Sequence, residues 1–296
     1  MQLLLIGMPV SGKSTYLGAL SHVLTAGTVE TALRMKELAD YEGHASALEE
    51  RWLACEEVDR TGVTSRRDGQ FRLQSAATGV EADLSIPDLS GEAFRQLAAR
   101  GRCLTGVFTT MLEADGLVLF TNANRGIDDR LIFDAAQQYD ALESAFEAEI
   151  AAAGVEDDLL SAPPEEDKPF NPEEMPEEVL IVEVLQMLNR RPAIARQRRV
   201  AVVVSAWDVV KGDEAPRDWL RRARPMLFQF LENNPRLWDV EVWGLSALGG
   251  GLPEAAERLR REAVPSMRIR VQGPAASEHD LTAPLAWLLE QPTGGS

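Results

Sequence analysis

Residues 7–14 read GMPVSGKS and follow directly on a short apolar run, QLLLI, at residues 2–6. The next residues, 13–24, have the composition of a helix. The loop matches the pattern GxxxxGK[ST] in full, and a place between a strand and a helix is the context in which that pattern binds phosphate. A strand, a glycine loop and a helix open an α/β nucleotide-binding fold. The sequence therefore predicts a P-loop α/β fold.

Each residue type in this loop has a physical role in phosphate binding. Gly7 and Gly12 permit backbone conformations that side chains forbid, so successive N–H groups can face phosphate oxygens. Lys13 reaches the β- and γ-phosphates, and Ser14 presents its hydroxyl to Mg²⁺. The start of the following helix adds the positive end of its dipole. The other loop residues expected to contact the nucleotide are Val10, Ser11 and Thr15.

Composition and charge narrow the class of protein. The chain has 296 residues, of which 45% are hydrophobic and 26% charged, as in an ordinary globular protein of one or two domains. The net charge of −17 argues against nucleic acid as a partner, while a locally positive site can still bind one nucleotide. The two cysteines and three histidines lack the spacing of a zinc site. No run reaches the length of a signal peptide or of a membrane span, so we expect a soluble, cytoplasmic protein.

Further apolar runs predict a mostly parallel central sheet flanked by helices. Residues 71–75 and 80–86 alternate between apolar and polar side chains, which is typical of half-buried strands. Continuous apolar runs indicate strands buried on both faces at 116–120, 200–204 and 240–245. Helix formers favour helices over 33–55, 92–112 and 281–291, and an edge strand is expected over 267–271.

Residues 123–199 interrupt the predicted sheet and are interpreted as one insertion into a single domain that spans residues 1–296. Residues 129–153 and 179–188 favour helices. Residues 156–178 hold ten acidic residues against one basic residue and are rich in proline. That composition favours a solvated, flexible linker, with binding to a basic partner as the alternative.

A second group on the metal side of the site is expected at the end of a later strand. Asp88 follows the strand at 80–86, and Gly91 comes three residues later to give DLSG. In such a turn the carboxylate holds a metal-bound water, and the glycine N–H meets the γ-phosphate. We therefore place Asp88 in the metal shell and Gly91 among the nucleotide contacts.

Residues that recognise the base are expected after the strands at 200–204 and 240–245. SAWD, at residues 205–208, places Asp208 where its carboxylate can accept hydrogen bonds from the N1–H and the amino group of guanine. Adenine would leave that carboxylate unpaired. Ser246 and Ala247 follow the later strand, and a backbone N–H there can contact the guanine oxygen. The pattern predicts GTP or GDP as the ligand.

The four motifs GMPVSGKS, DLSG, SAWD and LSA, in this order, resemble those of TRAFAC-class GTPases, which include translation factors and Ras-like proteins. More narrowly, the DLSGE turn and the terminal PLAWLLEQ are similar to the bacterial double-GTPase families, predicted components of multi-gene defence or signalling systems. The resemblance implies a Ras-like fold and a GTP-binding molecular switch. It also implies slow, Mg²⁺-dependent GTP hydrolysis and a protein effector.

The sequence departs from the usual base motif of that class, [NT]KxD. Ser205 replaces the Asn or Thr, and Ala206 replaces the Lys. Trp207 could stack on the base or lie in the core. Glu92 follows the DLSG turn where Ras-like members have Gln, and its carboxylate could act as a general base or repel the γ-phosphate.

The class also places a threonine of its first switch loop on Mg²⁺. Thr64 is preferred to Thr61, so the expected catalytic residues are Lys13, Glu92 and Thr64, and the expected metal ligands are Ser14, Thr64 and Asp88. Arginines in the same loop are either solvated or supply an internal arginine finger; they are Arg60, Arg66 and Arg67. The alternatives to a GTP switch are a P-loop ATPase and a nucleotide-binding scaffold that does not hydrolyse its ligand.

Overall fold

Eight strands form one sheet in a computed structural model that describes residues 1–39, 42–56, 69–86, 91–101, 105–124, 175–189 and 196–290. In chain order the strands are β1 (Gln2–Gly7), β2 (Leu33–Ala39), β3 (Gly69–Ser75), β4 (Glu81–Ile86), β5 (Gly116–Asn122), β6 (Arg198–Ser205), β7 (Trp238–Ser246) and β8 (Arg270–Gln272).

The strand order across the sheet is β2-β3-β4-β1-β5-β6-β7-β8. The five strands from β4 to β7 in this order run parallel to one another. At the two edges β2, β3 and β8 pair antiparallel. This arrangement confirms the predicted α/β class with a mostly parallel sheet.

Helices cover both faces of the sheet. They are α1 (Lys13–Ala26), α2 (Glu42–Ala54), α3 (Gly91–Arg100), α4 (Thr105–Glu113), α5 (Glu177–Met187), α6 (Pro216–Ala223), α7 (Pro225–Glu232), α8 (Ala256–Arg260) and α9 (Ala283–Leu289). Alternate side chains of β1 enter the two cores. Leu3 and Leu5 pack with α1, α2 and α9, while Leu4 and Ile6 pack with the helices from α3 to α7. Burial on both faces explains why β1 is continuously apolar.

The prediction of one helix over 33–55 is wrong. Residues Leu33–Ala39 form an edge strand paired with β3, and the helix begins only at Glu42. Leu33 is buried and Met35 half-buried, while Arg34 and Lys36 are exposed, as expected of a strand with one face on the core. The helix formers in this segment have only a weak intrinsic preference, which strand pairing overrides.

Two other element boundaries differ from the prediction. The segment 92–112 contains two helices, because Gly101 has a left-handed φ of 63° and its N–H bonds to Leu97 O, which ends α3. The predicted edge strand at 267–271 is shorter. Pro265–Arg268 forms a 3₁₀ turn, and only Arg270–Gln272 pairs with β7.

The acidic segment predicted at 156–178 lies mostly outside the described residues, as does the helix predicted at 129–153. Its last two acidic residues are described, and they are not solvated. Glu177 and Glu178 begin α5 and are 5% and 3% exposed. The Oε2 atom of Glu178 accepts hydrogen bonds from the N–H groups of Met226 and Leu227, at 2.8 and 3.1 Å. The N-terminus of α7 therefore compensates the burial of the Glu178 carboxylate, while Glu177 Oε1 accepts from the hydroxyl of Thr121 at 3.4 Å.

Across the described parts of the chain, helices fall short of the length and apolarity that crossing a membrane requires.

Candidate functional site

The carboxyl ends of neighbouring parallel strands meet at one edge of the sheet. Gly7 at the end of β1 lies opposite Phe120, and Asn122 at the end of β5 lies opposite Ser205. Ser205 in turn lies opposite Leu245 on β7. Ligands of open α/β sheets bind at this edge. The sheet therefore brings the predicted phosphate loop and the two predicted base motifs together.

The backbone of the phosphate loop requires glycine at position 12. Gly12 has φ 90° and precedes the first residue of α1. A Cβ atom there would lie 2.8 Å from both Cβ and Oγ of Ser205, closer than real contacts allow. Ser205 is buried, and its Oγ donates to the carbonyl oxygen of Ser11 at 2.8 Å. The serine that stands in place of the usual Asn or Thr thus joins the end of β6 to the phosphate loop.

The ammonium of Lys13 lies within the loop. Its Nζ donates to the carbonyl oxygens of Gly7 and Met8 at 2.7 and 2.8 Å, and to Ser11 Oγ at 3.0 Å. These partners orient the amine towards the loop. The arrangement suits an anion at the mouth of the loop.

The N-terminus of α1 faces the same edge. Gly12, at the N-cap position, has no side chain that could cap the helix, and the first turn contains no acidic residue. The first amides of a helix lack partners within the helix, so they can donate to an oxyanion. Ser14 and Thr15 lie in this turn and are partly exposed. The predicted contact residues therefore border a helix end whose first amides can donate to an anion.

One loop residue carries backbone strain. Val10 has φ 60°, and its side chain is 56% exposed. A β-branched residue is an outlier in left-handed backbone, and such strain costs about 1–3 kcal/mol. The Nδ2 atom of Asn122 donates to Val10 O at 2.9 Å, and Asn122 Oδ1 accepts from the N–H of Asn124 at 2.8 Å. The motif pattern gives no signal for Asn122 beyond its place at the end of a central strand.

The carboxylate predicted to recognise the base is exposed and oriented. Asp208 lies in the 3₁₀ turn Trp207–Val209, which follows Ala206 in left-handed backbone at φ 53°. The hydroxyl of Ser246 donates to Asp208 Oδ1 at 2.5 Å and accepts from the N–H of Gly249 at 3.1 Å. One oxygen of the carboxylate is thus fixed from β7.

The structure places the ring of Trp207 in the core, which is the second of the two alternatives for this residue. The residue is 9% exposed, and its ring lies so close to Gly244 that a Cβ there would be 2.2 Å from ring atom Cδ2. It meets Trp219 edge-on with centroids 6.4 Å apart, and its Nε1 donates to Gln272 Oε1 at 2.8 Å. Only the backbone of Trp207 is left for a ligand contact.

Ala247, predicted to contact the base through its backbone, is 8% exposed. Its carbonyl oxygen accepts a 2.8 Å hydrogen bond from the indole Nε1 of Trp52 on α2. Sequence reasoning missed Trp52, because no local pattern relates two residues that are 195 positions apart.

Several predicted residues fall outside the described chain. These are Thr61, Thr64, Asp88 and the loop arginines 60, 66 and 67. Gly91 and Glu92 are the first two residues of α3, and for Glu92 only the backbone is described.

Comparison with solved structures finds matches of low sequence identity. A bacterial selenocysteine-specific elongation factor, EF-Sec, matches at 13% identity and TM-score 0.36, covering 88% of this chain and 27% of that chain. The S. cerevisiae Ski7 GTPase-like domain bound to GTP matches at 16% identity and TM-score 0.41, covering 98% of this chain and 49% of that chain. The G domain of the T. maritima FeoB iron transporter matches at 13% identity and TM-score 0.30, covering 88% of this chain and 97% of that chain. The chain thus spans about a quarter of the length of the EF-Sec chain and about half of the length of the Ski7 chain.

Comparison with curated proteins finds no match. The sequence model of the Double-GTPase 1 family, by contrast, matches residues 4–288, which is nearly the whole chain. That match includes the predicted phosphate loop, both predicted base motifs and α9 except for its last residue, Leu289. The chain belongs to the Double-GTPase 1 family.

Proposed function

We propose that the protein binds GTP and GDP as a molecular switch. The observation that carries the proposal is the pairing of Asp208 with Ser246 at 2.5 Å, on the same sheet edge as the phosphate loop. A carboxylate accepts from both N–H donors of guanine, whereas adenine presents an acceptor at N1. Ser205 connects this base side to the phosphate side through its bond to Ser11.

On the phosphate side, Lys13 and the first amides of α1 would bind the β- and γ-phosphates, and the N–H of Gly91 would meet the γ-phosphate. Ser14, Thr64 and Asp88 would hold Mg²⁺. Hydroxyl and carboxylate oxygens are ligands that Mg²⁺ prefers, and Ser14 is partly exposed in the first turn of α1. When bound, the ion neutralises charge on the two phosphates.

Hydrolysis is proposed to be slow. Glu92 lies at the start of α3, next to Gly91, where its carboxylate would orient or deprotonate the attacking water. GTP would order the loops around Thr64 and Asp88, and hydrolysis would release them. A protein effector would read this change, with residues 123–199 as a binding surface, in a bacterial defence or signalling system.

A P-loop ATPase is the second candidate. Ala206 lacks the side chain that covers the base in the usual motif, and the ring of Trp207 lies in the core. Neither side chain therefore covers the face of the base. The choice between guanine and adenine then depends on Asp208 and on the loop at Ala247. A scaffold that binds nucleotide without hydrolysis remains the third, and it rests on Glu92.

The test measures the affinity of the Mg²⁺-loaded protein for GDP and ADP, for wild type and for Asp208→Ala. We expect wild type to prefer GDP, and Asp208→Ala to lose about a hundredfold in GDP affinity because two charge-assisted hydrogen bonds are removed. Asp213→Ala, at an exposed carboxylate five residues further on, is the control and should change nothing. Equal affinities in wild type would contradict guanine recognition and favour the ATPase.

Hydrolysis is tested separately, by following phosphate release from GTP in wild type and in Lys13→Ala. A rate in wild type equal to that of Lys13→Ala would favour the scaffold.

A further inference from the structure

We propose that Trp52 on α2 is a positioning residue for guanine specificity, because it fixes the loop at residues 246–249, here named the base loop. The inference rests on the proposed function, since it assigns guanine recognition to this loop. Trp52 lies outside every motif of the site and acts through Ala247.

The contact is buried and direct. Trp52 is 1% exposed, and its indole Nε1 donates to Ala247 O at 2.8 Å. A buried carbonyl that loses its donor bears the cost of desolvation without compensation. The carbonyl of Ala247 lies in the planar peptide unit shared with Leu248, and its N–H lies in the unit shared with Ser246; the two units meet at the Cα of Ala247. Fixing the first unit by Trp52, next to a Ser246 held by its own hydroxyl bonds, limits the rotation about that Cα which sets the direction of the N–H. That N–H is the group proposed to meet the guanine oxygen.

The base loop is held at its other points by different residues. Ser246 Oγ bonds to Asp208 and to the N–H of Gly249. The carbonyl oxygen of Gly249 accepts from Nη2 of Arg258 at 2.9 Å. Ala247 stands between these two fixed points, and Trp52 supplies its contact with α2. Removing the indole donor should therefore loosen Ala247 while the carboxylate of Asp208 stays paired.

Trp52 is itself held in place. The guanidinium of Arg268 lies 4.5 Å from the centroid of its ring, and the His22 ring lies 5.1 Å from it on α1. Glu49, one turn earlier on α2, accepts from Ser21 Oγ at 2.9 Å and lies 3.0 Å from His22 Nδ1. These contacts fix α2 on α1, the helix that follows the phosphate loop. The position of the indole donor is thus fixed relative to α1.

The end of α2 is tied to the same part of the chain that follows the base loop. Arg260 Nε donates to the carbonyl oxygen of Ala54 at 2.7 Å, and Arg268 Nη1 contacts Cys55 Sγ. Trp52, Ala54 and Cys55 therefore anchor to one segment within a single turn. A substitution at Trp52 should therefore act first on the base loop, while the phosphate loop keeps its own bonds from Ser205 and Asn122.

The experiment compares Trp52→Phe with Trp238→Phe by calorimetric titration with GDP, ADP and inorganic pyrophosphate in Mg²⁺. Trp238 is 2% exposed, and its indole N–H has no hydrogen-bond partner in the part of the chain that the structure describes. Trp238→Phe is therefore matched for lost ring area without a lost hydrogen bond. Thermal melts report the stability of both variants.

We expect Trp52→Phe to lose about tenfold in GDP affinity, and to keep ADP and pyrophosphate affinity within about twofold, because a buried acceptor loses its partner only at the base loop. Trp238→Phe should keep the wild-type ratio of GDP to ADP affinity. If Trp52→Phe does not fold, benzothienylalanine at position 52 keeps the ring volume and removes only the N–H. The same shift in the GDP to ADP ratio is then expected.

The outcomes separate the two proposals. A wild type that prefers GDP, with a variant that keeps this preference, overturns the role of Trp52 and leaves the proposed function standing. Equal loss of GDP, ADP and pyrophosphate affinity also overturns it, because that result indicates general destabilisation. A wild type without guanine preference overturns the proposed function, and with it this inference.

Discussion

The side-chain amide of Asn122 donates to the carbonyl oxygen of Val10 at 2.9 Å and so joins the end of β5 to the left-handed residue of the phosphate loop. The orientation of the amide is set, because its oxygen accepts from the N–H of Asn124. Val10 points its side chain outward and gains little from burial. The bond from Asn122 therefore helps to hold a conformation that valine itself disfavours.

Val10→Gly is expected to stabilise the protein by about 0.5–1 kcal/mol. Glycine removes a left-handed penalty of about 1–2 kcal/mol and returns about half of that through the greater freedom of the unfolded chain. Chemical denaturation measures the change. Val10→Ala is the matched control, because alanine keeps a Cβ and should recover less.

Asn122→Ala should cost about 1 kcal/mol in the wild-type background and clearly less in the Val10→Gly background. The reason is that glycine adopts the loop conformation without support. A double-mutant cycle in the free energy of unfolding isolates this coupling. Strict additivity of the two changes would show that Asn122 does not stabilise the strained residue.

Gly12→Ala is expected to lower the free energy of unfolding by more than about 2 kcal/mol and to abolish phosphate binding. Its Cβ would collide with Ser205 in addition to the penalty of φ 90°. Gly27→Ala is the matched control, because Gly27 has φ 59° and a Cβ there would meet nothing within 4 Å. That control should cost only about 1 kcal/mol. Similar losses for both variants in thermal and chemical melts would contradict the steric argument.

Glu178→Gln should destabilise the protein by about 1–2 kcal/mol, because the charged carboxylate bonds two amides at the N-terminus of α7. Glu257→Gln is the control, since that side chain is exposed and lies 3.6 Å from Arg261. We expect a change of less than about 0.5 kcal/mol there. A loss at Glu257 that equals the loss at Glu178 would show that charge alone, and not the helix cap, causes the effect.

The sequence predicted those features that depend on neighbouring residues. The phosphate loop lies between β1 and α1 as its motif requires, and the apolar runs at β5 and β6 form the buried centre of the sheet. The run predicted at 240–245 is buried only from Val242 onward. The strand β2 was missed, because its pairing with β3 overrides local helix preference.

Local sequence patterns did not predict the contacts between distant segments. The bond from Asn122 to Val10 joins residues 112 positions apart, and the bond from Trp52 to Ala247 joins residues 195 apart. The direction of the Trp207 ring likewise depends on Gly244 and Trp219, which belong to other elements. A sequence pattern gives the order of the site residues, while packing decides which side chains hold them.

Because of Tyr16, we expect the free energy of unfolding to fall as the pH rises into the alkaline range. Burial, and secondly the charge of Asp280, raise its pKa well above the ordinary value of 10.0, and its hydroxyl donates to Leu281 O at 3.0 Å. The unfolded chain loses the phenolic proton above about pH 10 while the folded chain keeps it, so this stabilisation is complete below about pH 10 and declines as the pH rises, by up to about 1.4 kcal/mol per pH unit. Urea melts between pH 8 and pH 11 measure this slope. We expect Tyr16→Phe to be less stable by about 1 kcal/mol at pH 8, through the lost hydrogen bond, and to lose less stability than wild type above about pH 10. Parallel pH profiles for wild type and Tyr16→Phe would show that this phenol ionises normally in the folded protein.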